Sequence, residues 1–191
     1  MNVYKKTLTA ALAAAALTGL AAAPAAAEST AAVTIRVEYA YSQNVWEGMN
    51  VQFNCPTNQV LTGRSHSGDE NGKTTYYCSA IYINDQQVQV SPGDWDTGQR
   101  ENKSIFVAPA NQVLTGRWHT GDENGYTKYR TAALYWQGKQ VRLTSSRWTG
   151  TYKESHHYWE AAPGQVMTGR SHSGDENGNT TYRYSTVTFE G

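Results

Sequence analysis

The chain lacks a surplus of charge of either sign. It has 16 lysines and arginines against 16 aspartates and glutamates, which gives a formal net charge of +0, and the two signs are interleaved along the sequence. Proteins that bind nucleic acid or an anionic membrane carry basic patches that neutralise phosphates. The composition gives no such patch, so we expect neither nucleic-acid binding nor membrane insertion, and we expect a monomer.

Long apolar runs are scarce and are confined to the N-terminus. Lys5 and Lys6 precede an Ala- and Leu-rich run from residue 8 to 23, and residues 25–27 are all alanine. This pattern predicts a secretory signal peptide over residues 1–27. Gly19 and Pro24 interrupt the run, which suits export better than a transmembrane anchor. We therefore expect a secreted, extracellular protein with a short tail over 28–34 and one domain over 35–191.

Cysteine is limited to Cys55 and Cys78. In an exported chain an even pair favours a disulfide over a metal site or a catalytic thiol. Closing the loop between the two residues would stabilise the fold by about 3 kcal/mol.

Sustained helical periodicity is also missing. Each third of the chain instead opens with alternating residues, at 35–39, 88–90 and 141–143, and continues with a second short strand pattern at 51–53, 104–107 and 157–159. Period-two alternation beside Gly, Asp and Ser is typical of strands and turns. The sequence predicts an all-β domain. Trp46, Trp95 and Trp148 follow the opening strands, and we expect them to be core or supporting residues.

A long repeated segment is the main feature that is present. The segment from Gln59 to Gly72 returns at 112–125 and at 165–178, each time 53 residues later, and each copy extends to a tyrosine. Each copy reads as a β-hairpin with a Gly-Asp-Glu-Asn-Gly tip, because Asp, Asn and Gly suit turns of this length. The repeats cover about 35–87, 88–140 and 141–191. Only the first repeat has cysteines, so we expect the disulfide to stabilise the chain locally and not to be the basis of the fold.

Three blocks of four strands predict a closed body. A propeller needs at least four blades, and a block of about 50 residues would struggle to form a core alone. We expect a pseudo-threefold arrangement with one shared core, either a β-prism of three four-stranded sheets or a β-trefoil. The long hairpins favour the prism.

The repeated polar residues are the candidate ligand site. Thr62, Arg64 and His66 lie two apart and are expected on one strand face, with Leu61 and Gly63 on the other. Together with the tip and the nearby aromatic residues they would form one small pocket wall in each repeat. The predicted ligand-binding residues are Arg64, His66, Asp69, Glu70, Asn71 and Tyr76 in the first repeat, Arg117, Trp118, His119, Asp122, Glu123, Asn124 and Tyr129 in the second, and Arg170, His172, Asp175, Glu176, Asn177 and Tyr182 in the third.

Other interpretations of this cluster stay open. The tip sequence is also good turn chemistry, and Arg64 could pair with Asp69 or Glu70 across the hairpin. A zinc site of three histidines is disfavoured by the arginine two residues before each one, whereas calcium at the tips is possible. Adjacent carboxylates such as Asp69 and Glu70 do not face each other across a bond, as glycosidases require. We predict no cofactor and no catalytic residue.

Triplication favours repeated binding over catalysis at one asymmetric site. Arg, His, Asp, Glu and Asn supply donors and acceptors for sugar hydroxyls, and three weak sites give high avidity. We expect a non-catalytic protein that binds carbohydrate or another surface polymer. The alternatives are a structural or interaction module, such as an envelope-associated protein or an inhibitor, and a glycan-active hydrolase.

The first repeat resembles those of dermatopontin-type extracellular proteins. The residues that carry the resemblance are Cys55, Val60, Gly63, His66, Asn71, Tyr76 and Cys78. It implies a secreted, disulfide-bonded all-β protein with a matrix or lectin-like role. The Asp-Arg-aromatic signature of that family is replaced here by Lys73-Thr74-Thr75-Tyr76. The three-repeat layout is also similar to that of three-repeat all-β lectins.

Overall fold

The computed structural model describes residues 32–69, 72–122, 124–175 and 177–190. The expected signal peptide lies outside the described residues, as do 28–31 of the expected tail. Strands dominate the described part, and its only helical element is a single 3-10 turn at Glu47–Met49, which confirms the all-β prediction. In this part of the chain there is no helix with the length and apolarity needed to span a membrane.

Each third of the chain contributes a similar series of strands. The first third forms β1 (Ile35–Trp46), β2 (Gln52–Asn54), β3 (Gln59–Ser67), β4 (Lys73–Ile83) and β5 (Gln86–Gln87). The second forms β6 (Gln89–Trp95), β7 (Gln99–Arg100), β8 (Lys103–Val107), β9 (Gln112–Thr120), β10 (Tyr126–Trp136) and β11 (Lys139–Gln140). The last forms β12 (Arg142–Trp148), β13 (Tyr152–Lys153), β14 (His156–Glu160), β15 (Gln165–Ser173) and β16 (Asn179–Thr188).

The strands form three antiparallel sheets, and each sheet is built on one repeated hairpin. The first has the order β1-β4-β3-β14, the second β11-β10-β9-β2 and the third β12-β16-β15-β8. Short strands complete them, since β5 pairs with β4, β6 and β7 pair with β10, and β13 pairs with β16. The predicted hairpin arms are confirmed as β3 with β4, β9 with β10 and β15 with β16.

One strand of each repeat leaves its own hairpin and joins a neighbouring sheet. β2 pairs with β9 of the second repeat, β8 with β15 of the third, and β14 with β3 of the first. Each sheet therefore combines the hairpin of one repeat with a single strand from another, an exchange that the sequence does not predict. Each exchanged strand is only three to five residues long, and the chain that follows it crosses from one sheet to the next before the hairpin begins.

A bulge in each hairpin alters which side chains face inward. The pairing shifts register between Leu61 and Gly63 against β4, and the same shift recurs at Gly116 and Gly169. A bulge changes the alternation of side chains along a strand. Leu61 and Arg64 are therefore both buried, although strict alternation placed them on opposite faces.

The repeated glycine at the bulge is required by the exchanged strand. A Cβ atom on Gly63 would lie 2.8 Å from the carbonyl oxygen of Trp159 in β14, and one on Gly116 would lie 2.6 Å from that of Phe53 in β2. Any larger residue would push the exchanged strand away.

Apolar side chains form two buried clusters. One contains mainly Val, Ile and Leu from all three repeats, among them Val60, Val113 and Val166. The other contains Leu61, Leu114 and Met167 with the repeated tyrosines and the aromatic residues of the exchanged strands. Both clusters draw on all three repeats, so the repeats share their core as expected.

The tryptophans that follow the opening strands are not core residues. Trp46 is 57% exposed and Trp148 is 39% exposed, and Trp95 is half-buried with its ring edge against Trp118 at 6.5 Å between centroids. The expectation that all three support the core is wrong for Trp46 and Trp148, because the edge strands that carry them leave one face open to solvent.

Cys55 and Cys78 form the predicted disulfide. Cys55 follows β2, whose strand lies in the second sheet, and its amide donates to the carbonyl oxygen of Thr115 at 2.8 Å. Cys78 lies in β4 of the first sheet. The bond therefore ties the crossing segment of the first repeat to two sheets. Ala108 and Ala161 make equivalent backbone bonds to Thr168 and Thr62, so the crossing itself does not need the disulfide.

The double variant Cys55→Ala, Cys78→Thr copies the residues of the second repeat. We expect its unfolding free energy to be lower by about 3 kcal/mol, because the unfolded chain without the cross-link has more conformational entropy. Its far-ultraviolet circular dichroism should match that of the parent protein. Urea unfolding measures both properties. Loss of a cooperative transition would contradict the view that the disulfide stabilises the chain only locally.

Candidate functional site

The three repeated arginines lie in the interior. Arg64, Arg117 and Arg170 project inward from β3, β9 and β15 and are only 1–2% exposed. A buried charge is very costly unless it is paired and hydrogen-bonded. Their partners therefore decide what the repeated segment does.

The partners are three glutamates from the turn-rich part of each repeat. Glu47, Glu101 and Glu154 are 4–6% exposed. The hairpin tip holds each of them in place, because their backbone amides donate to the carbonyl oxygens of the last tip glycine, Gly72, Gly125 and Gly178 respectively, at 3.0–3.3 Å. The tip is thus part of the scaffold that positions these carboxylates.

Together these six residues form what we call the ion-pair ring. Each glutamate binds the arginine of its own repeat and that of the next. Arg64 contacts Glu47 at 3.0 Å and Glu154 at 2.7 Å, and Arg170 contacts Glu101 at 2.7 Å and Glu154 at 3.1 Å. Arg117 contacts Glu101 at 3.0 Å and also pairs closely with Glu47. The six contacts close a circle through all three repeats and leave no net charge within it.

Tyrosine and threonine side chains surround the ring. The hydroxyl of Tyr76 donates to Glu47 at 2.9 Å and accepts from Arg117 at 3.0 Å. Tyr129 and Tyr182 accept in the same way from Arg170 and Arg64. Each tyrosine ring also stacks on an exchanged strand, at centroid distances of 4.4 Å for Phe53, 4.7 Å for Phe106 and 4.7 Å for Trp159. The repeated tyrosines therefore join ring, hairpin and exchanged strand.

The repeated histidines lie between the ring and the tips. His66 and His172 contact the hydroxyls of Thr74 and Thr180 at 2.7 and 2.9 Å through Nδ1. Their Nε2 atoms contact backbone oxygens of the tip, those of Asp69 and Gly174. His119 is also buried, with Nδ1 3.8 Å from Glu101.

Burial and charge move the pKa values of these groups. Burial alone would raise the pKa of Glu47 and Glu154, but the arginines on either side hold it well below its ordinary value. Burial, followed by the nearby arginine, lowers the pKa of His157 and His172 to about 4. Burial likewise raises the pKa of Tyr76 and Tyr182. At neutral pH the ring is ionised and these two histidines are neutral.

The tips are built from turn interactions. Gly68, Gly121 and Gly174 have positive φ angles of 115°, 80° and 102°, which favour glycine. The carboxylates of Asp122 and Asp175 accept from the amides of Asn124 and Asn177 at 2.9 Å, as in Asx turns. The turn-chemistry interpretation therefore accounts for these positions.

The predicted ligand-binding residues consequently separate into groups. Nine lie inside the protein, where they form or contact the ion-pair ring and are at most 3% exposed: Arg64, His66, Tyr76, Arg117, His119, Tyr129, Arg170, His172 and Tyr182. The exposed ones at the tips are Asp69, Asp122, Asn124, Asp175 and Asn177, while Trp118 is half-buried beside Lys128. Glu70, Asn71, Glu123 and Glu176 lie outside the described residues. The arginine and tyrosine side chains are thus withdrawn from the pocket wall expected at each tip, whereas His66 lines a groove on the first sheet.

The charge partners of Arg64 in the described part of the chain are Glu47 and Glu154 of the ring. Asp69 or Glu70 was the suggested partner across the hairpin, and Glu70 lies outside the described residues. Sequence reasoning missed the three glutamates, because they stand in the part of each repeat that differs most. A signal was present, since glutamate recurs 16 or 17 residues before each repeated arginine.

One group of ring residues has the spacing of metal ligands. In the described part of the chain it consists of Glu47, His66 and Glu154, whose ligand atoms lie within 4.8 Å of one another. Arg64 contacts both carboxylates, Arg117 pairs with Glu47 and Arg170 with Glu154, so the negative charge is already balanced. A divalent cation would add two uncompensated charges to a buried site, which is very costly. These residues do not fit a metal.

Accessible cavities lie instead at the junctions between repeats. Three clefts recur at equivalent places, each formed by the crossing segment of one repeat and by the opening strand and hairpin of the next. The first cleft, of about 200 Å³, includes Pro56, Asn58, Gln59, Val90, Thr115 and Arg130. The second, of about 330 Å³, includes Pro109, Asn111, Gln112, Leu143, Thr168 and Arg183. The third, of about 190 Å³, includes Val37, Thr62, Glu160, Ala162, Pro163 and Gln165.

Backbone hydrogen bonds shape the three clefts alike. The amides of Gln59, Gln112 and Gln165 close a turn onto the carbonyl oxygens of Pro56, Pro109 and Ala162 at 3.0–3.1 Å. Asn58 and Asn111 adopt positive φ, and their side chains accept from the amides of Val90 and Leu143 in the next repeat. The clefts are therefore fixed by the fold.

A broader groove of about 400 Å³ lies on the first sheet. It includes Ser65, Lys73, His156, His157 and Tyr158, and the ring of Tyr158 is 58% exposed. His156 is exposed but His157 is buried, with Nε2 2.5 Å from the hydroxyl of Tyr182. The second repeat has Ser104 where His157 stands, so the groove depends on residues of one junction only.

The ring gives a first test. Glu101→Gln should lower the unfolding free energy by about 3–5 kcal/mol, because it leaves two buried arginines short of a charge. The matched control is Glu38→Gln, which breaks an exposed pair with Arg36 and should cost less than about 1 kcal/mol. Urea unfolding at pH 7 measures both. Equal effects would show that the ring does not organise the fold.

The neutral histidines give a second test. The unfolded chain has a histidine pKa of about 6.5, whereas the folded-state pKa of His157 is about 4. The unfolded state therefore binds more protons between these values, so stability is complete above about pH 6.5 and declines as the pH falls. Each such histidine contributes a loss on the order of 2 kcal/mol at pH 5. The ring carboxylates add little in this range, because their lowered pKa values affect stability only at more acidic pH.

The measurement is the unfolding free energy at pH 7 and pH 5 for the parent protein and for His157→Ser, which copies Ser104. The variant should lose less stability between the two values, and the control, exposed His156→Ser, should behave like the parent. An unchanged decline in His157→Ser would contradict the assignment.

Comparison of the chain with family models, with curated proteins and with solved structures finds no match. The resemblance to dermatopontin-type repeats stays an expectation based on the sequence. The function must therefore be inferred from the ring, the tips and the clefts themselves.

Proposed function

We propose that the protein is a secreted, non-catalytic binding protein that recognises carbohydrate or another surface polymer at three equivalent sites. The observation that carries this proposal is the recurrence of a cleft with the same framework at each junction between repeats. Three copies of a weak site give high avidity for a polymer with repeated units. The proposed sites are the clefts, since the arginines, histidines and tyrosines of the repeated segment are buried.

The proposed architecture is a closed pseudo-threefold body of the β-prism type. Two observations support it. Each sheet has one long hairpin flanked by an opening strand and an exchanged strand, and the ion-pair ring joins the repeats in a circle. A β-trefoil would use its hairpins as caps, whereas here each hairpin is the centre of a sheet.

The chemistry of the clefts suits sugar units. Backbone and side-chain polar groups of Asn58, Gln59 and Thr115 line the first cleft beside the apolar surface of Val90 and Pro56, which together match hydroxyls and a ring face. The cleft volumes of about 190, 200 and 330 Å³ lie near or below the lower end for small-molecule pockets, which is roughly 300 Å³. Each cleft therefore suits one small unit of a chain rather than a whole oligosaccharide.

Binding without catalysis is supported by the positions of the carboxylates. A glycosidase needs two carboxyl groups facing each other across the bond. The ring glutamates are buried and paired with arginine, and Glu160 is the carboxylate that lines a cleft. A pair suited to hydrolysis is not found around the clefts in the described residues.

Secretion is part of the same proposal. The first 27 residues have the pattern of a signal peptide, and the disulfide suits an oxidising compartment.

A structural or interaction module is the second candidate. The observation that favours it is that the repeated arginines and tyrosines serve the buried network, so the repetition does not by itself require a ligand. In that case the clefts would be junctions between repeats with no partner.

A glycan array separates the two candidates. We expect the protein without residues 1–27 to bind a polymeric glycan, and Thr57→Trp, Ala110→Trp and Ala162→Trp to weaken binding by about tenfold each as avidity falls. All three residues are exposed and line the clefts. The matched control is Thr97→Trp, at an exposed position outside them.

Two outcomes would contradict this proposal. Absence of binding to any glycan would favour the structural module. Binding that survives all three substitutions but is lost on replacing the exposed tip residues Asp122 and Asp175 would show that the ligand binds at the tips. Thermal unfolding of each variant checks that the fold is intact.

A further inference from the structure

The three clefts share a framework but differ in charge. Arg130 lines the first cleft and Arg183 the second. The strand registers show that the two are equivalent, because Arg130 pairs with Gly116 and Arg183 with Gly169. The third repeat junction has Tyr77 at that place, paired with Gly63. The third cleft is instead lined by an acidic residue, Glu160.

Neither cleft arginine is neutralised by a carboxylate of the described residues. Nε of Arg130 donates to the carbonyl oxygen of Gly93 at 2.9 Å, and its Nη1 donates to the amide oxygen of Asn54 at 3.4 Å. Nη1 of Arg183 donates to the hydroxyl of Thr168 at 3.3 Å. These neutral acceptors orient the guanidinium groups and leave their positive charge uncompensated.

The surroundings of each guanidinium suit an anion. The side chains are half-buried, so their charge is less screened than on an open surface. The side-chain amides of Asn111 and Gln112 line the second cleft together with Arg183, and those of Asn54 and Gln59 line the first together with Arg130. A guanidinium with neighbouring hydroxyl or amide donors is a recurring arrangement for carboxylate, sulfate and phosphate groups.

The third cleft is lined by a carboxylate and not by an arginine. Glu160 accepts from the hydroxyl of Tyr158 at 2.5 Å, and the ring of Tyr158 packs edge-on against Tyr77 at 5.6 Å. Tyr77 thus stands at the strand position of the arginine, and the carboxylate of Glu160 lines the cleft. An anionic group would meet a like charge there.

We propose that the first and second clefts bind anionic units of a polymer, one per cleft, through Arg130 and Arg183, and that the third cleft does not. The shared chemistry is an acidic group on a polyhydroxylated chain, whether a uronate carboxylate, a sulfate ester or a phosphodiester. This inference rests on the proposed function, since it names the ligand class of the same clefts. Under this inference, two of the three proposed cleft sites bind anionic groups, and the third cleft does not.

Isothermal titration calorimetry tests the proposal with defined probes. The acidic probes are a tetragalacturonate, a sulfated chondroitin tetrasaccharide and a short glycerol-phosphate oligomer, and the neutral probe is a galactotetraose. The acidic probe that fits should bind at two sites per chain and at least about tenfold more tightly than the neutral one, since hydrogen bonds to charged groups are the stronger ones. Raising the salt concentration should weaken it.

Substitution of each arginine removes one site. Arg130→Gln and Arg183→Gln should each reduce the stoichiometry from two to one, and the double variant should bind the acidic probe no better than the neutral one. The matched control, Arg142→Gln, removes an exposed arginine that does not line the clefts, and it should leave two sites. Thermal unfolding confirms that each variant is folded.

The outcomes distinguish this inference from the proposed function. Equal affinity for acidic and neutral probes, or three sites that persist in the double variant, would overturn the anionic assignment while leaving the clefts as binding sites. If none of the probes, acidic or neutral, binds the folded parent protein, both the anionic assignment and carbohydrate binding at the clefts are overturned. Which acidic probe binds most tightly identifies the group that is recognised.

Discussion

The fold depends on one constraint, the burial of three arginines and three glutamates in a closed ring. A buried guanidinium is tolerated only where carboxylates meet it in good geometry, and here every carboxylate is shared between two repeats. Each repeat therefore needs both neighbours to complete its charge balance. The tips hold the glutamates, each tyrosine accepts a hydrogen bond from one arginine, and the exchanged strands stack on the tyrosines. Most of the residues that recur in all three repeats therefore serve this one requirement.

The ring explains why the two halves of each repeat differ so much in sequence. The hairpin supplies the arginine, the tip, the bulge glycine and the tyrosine, and each of these has a fixed neighbour inside the protein. The opening half supplies one glutamate to the ring, an exchanged strand whose aromatic side chain stacks on a tyrosine, and an edge strand with one face open to solvent. The three repeats differ in the lining of the clefts, where Arg130, Arg183 and Glu160 distinguish the three junctions.

Alternation and repetition were enough to predict the hairpins, the all-β class and the shared core, and the single pair of cysteines predicted the disulfide. They could not predict the exchange of strands, because β2 and its equivalents have the same pattern whichever sheet they join. The bulge at Gly63 was not predicted either. It shifts the alternation of side chains from which the two faces of the strand were assigned. Arg64 and His66 were correctly placed on one face, but whether that face points to solvent or to the interior depends on Glu47 and Glu154, which lie 17 and 90 residues away in sequence. The clefts have no sequence signal of their own, because they form between repeats.

The central claim is that the repeated interior residues stabilise the fold, whereas the clefts between repeats bind the ligand. Amide chemical-shift mapping by nuclear magnetic resonance, during titration with the acidic oligosaccharide that binds, tests this division most directly. The account predicts that the changes concentrate at the crossing segments 55–59 and 108–112 and at their partners Thr115 and Thr168, while the tip amides of Gly68, Gly121 and Gly174 stay unchanged. Changes confined to the tips, with the crossing segments unaffected, would contradict it.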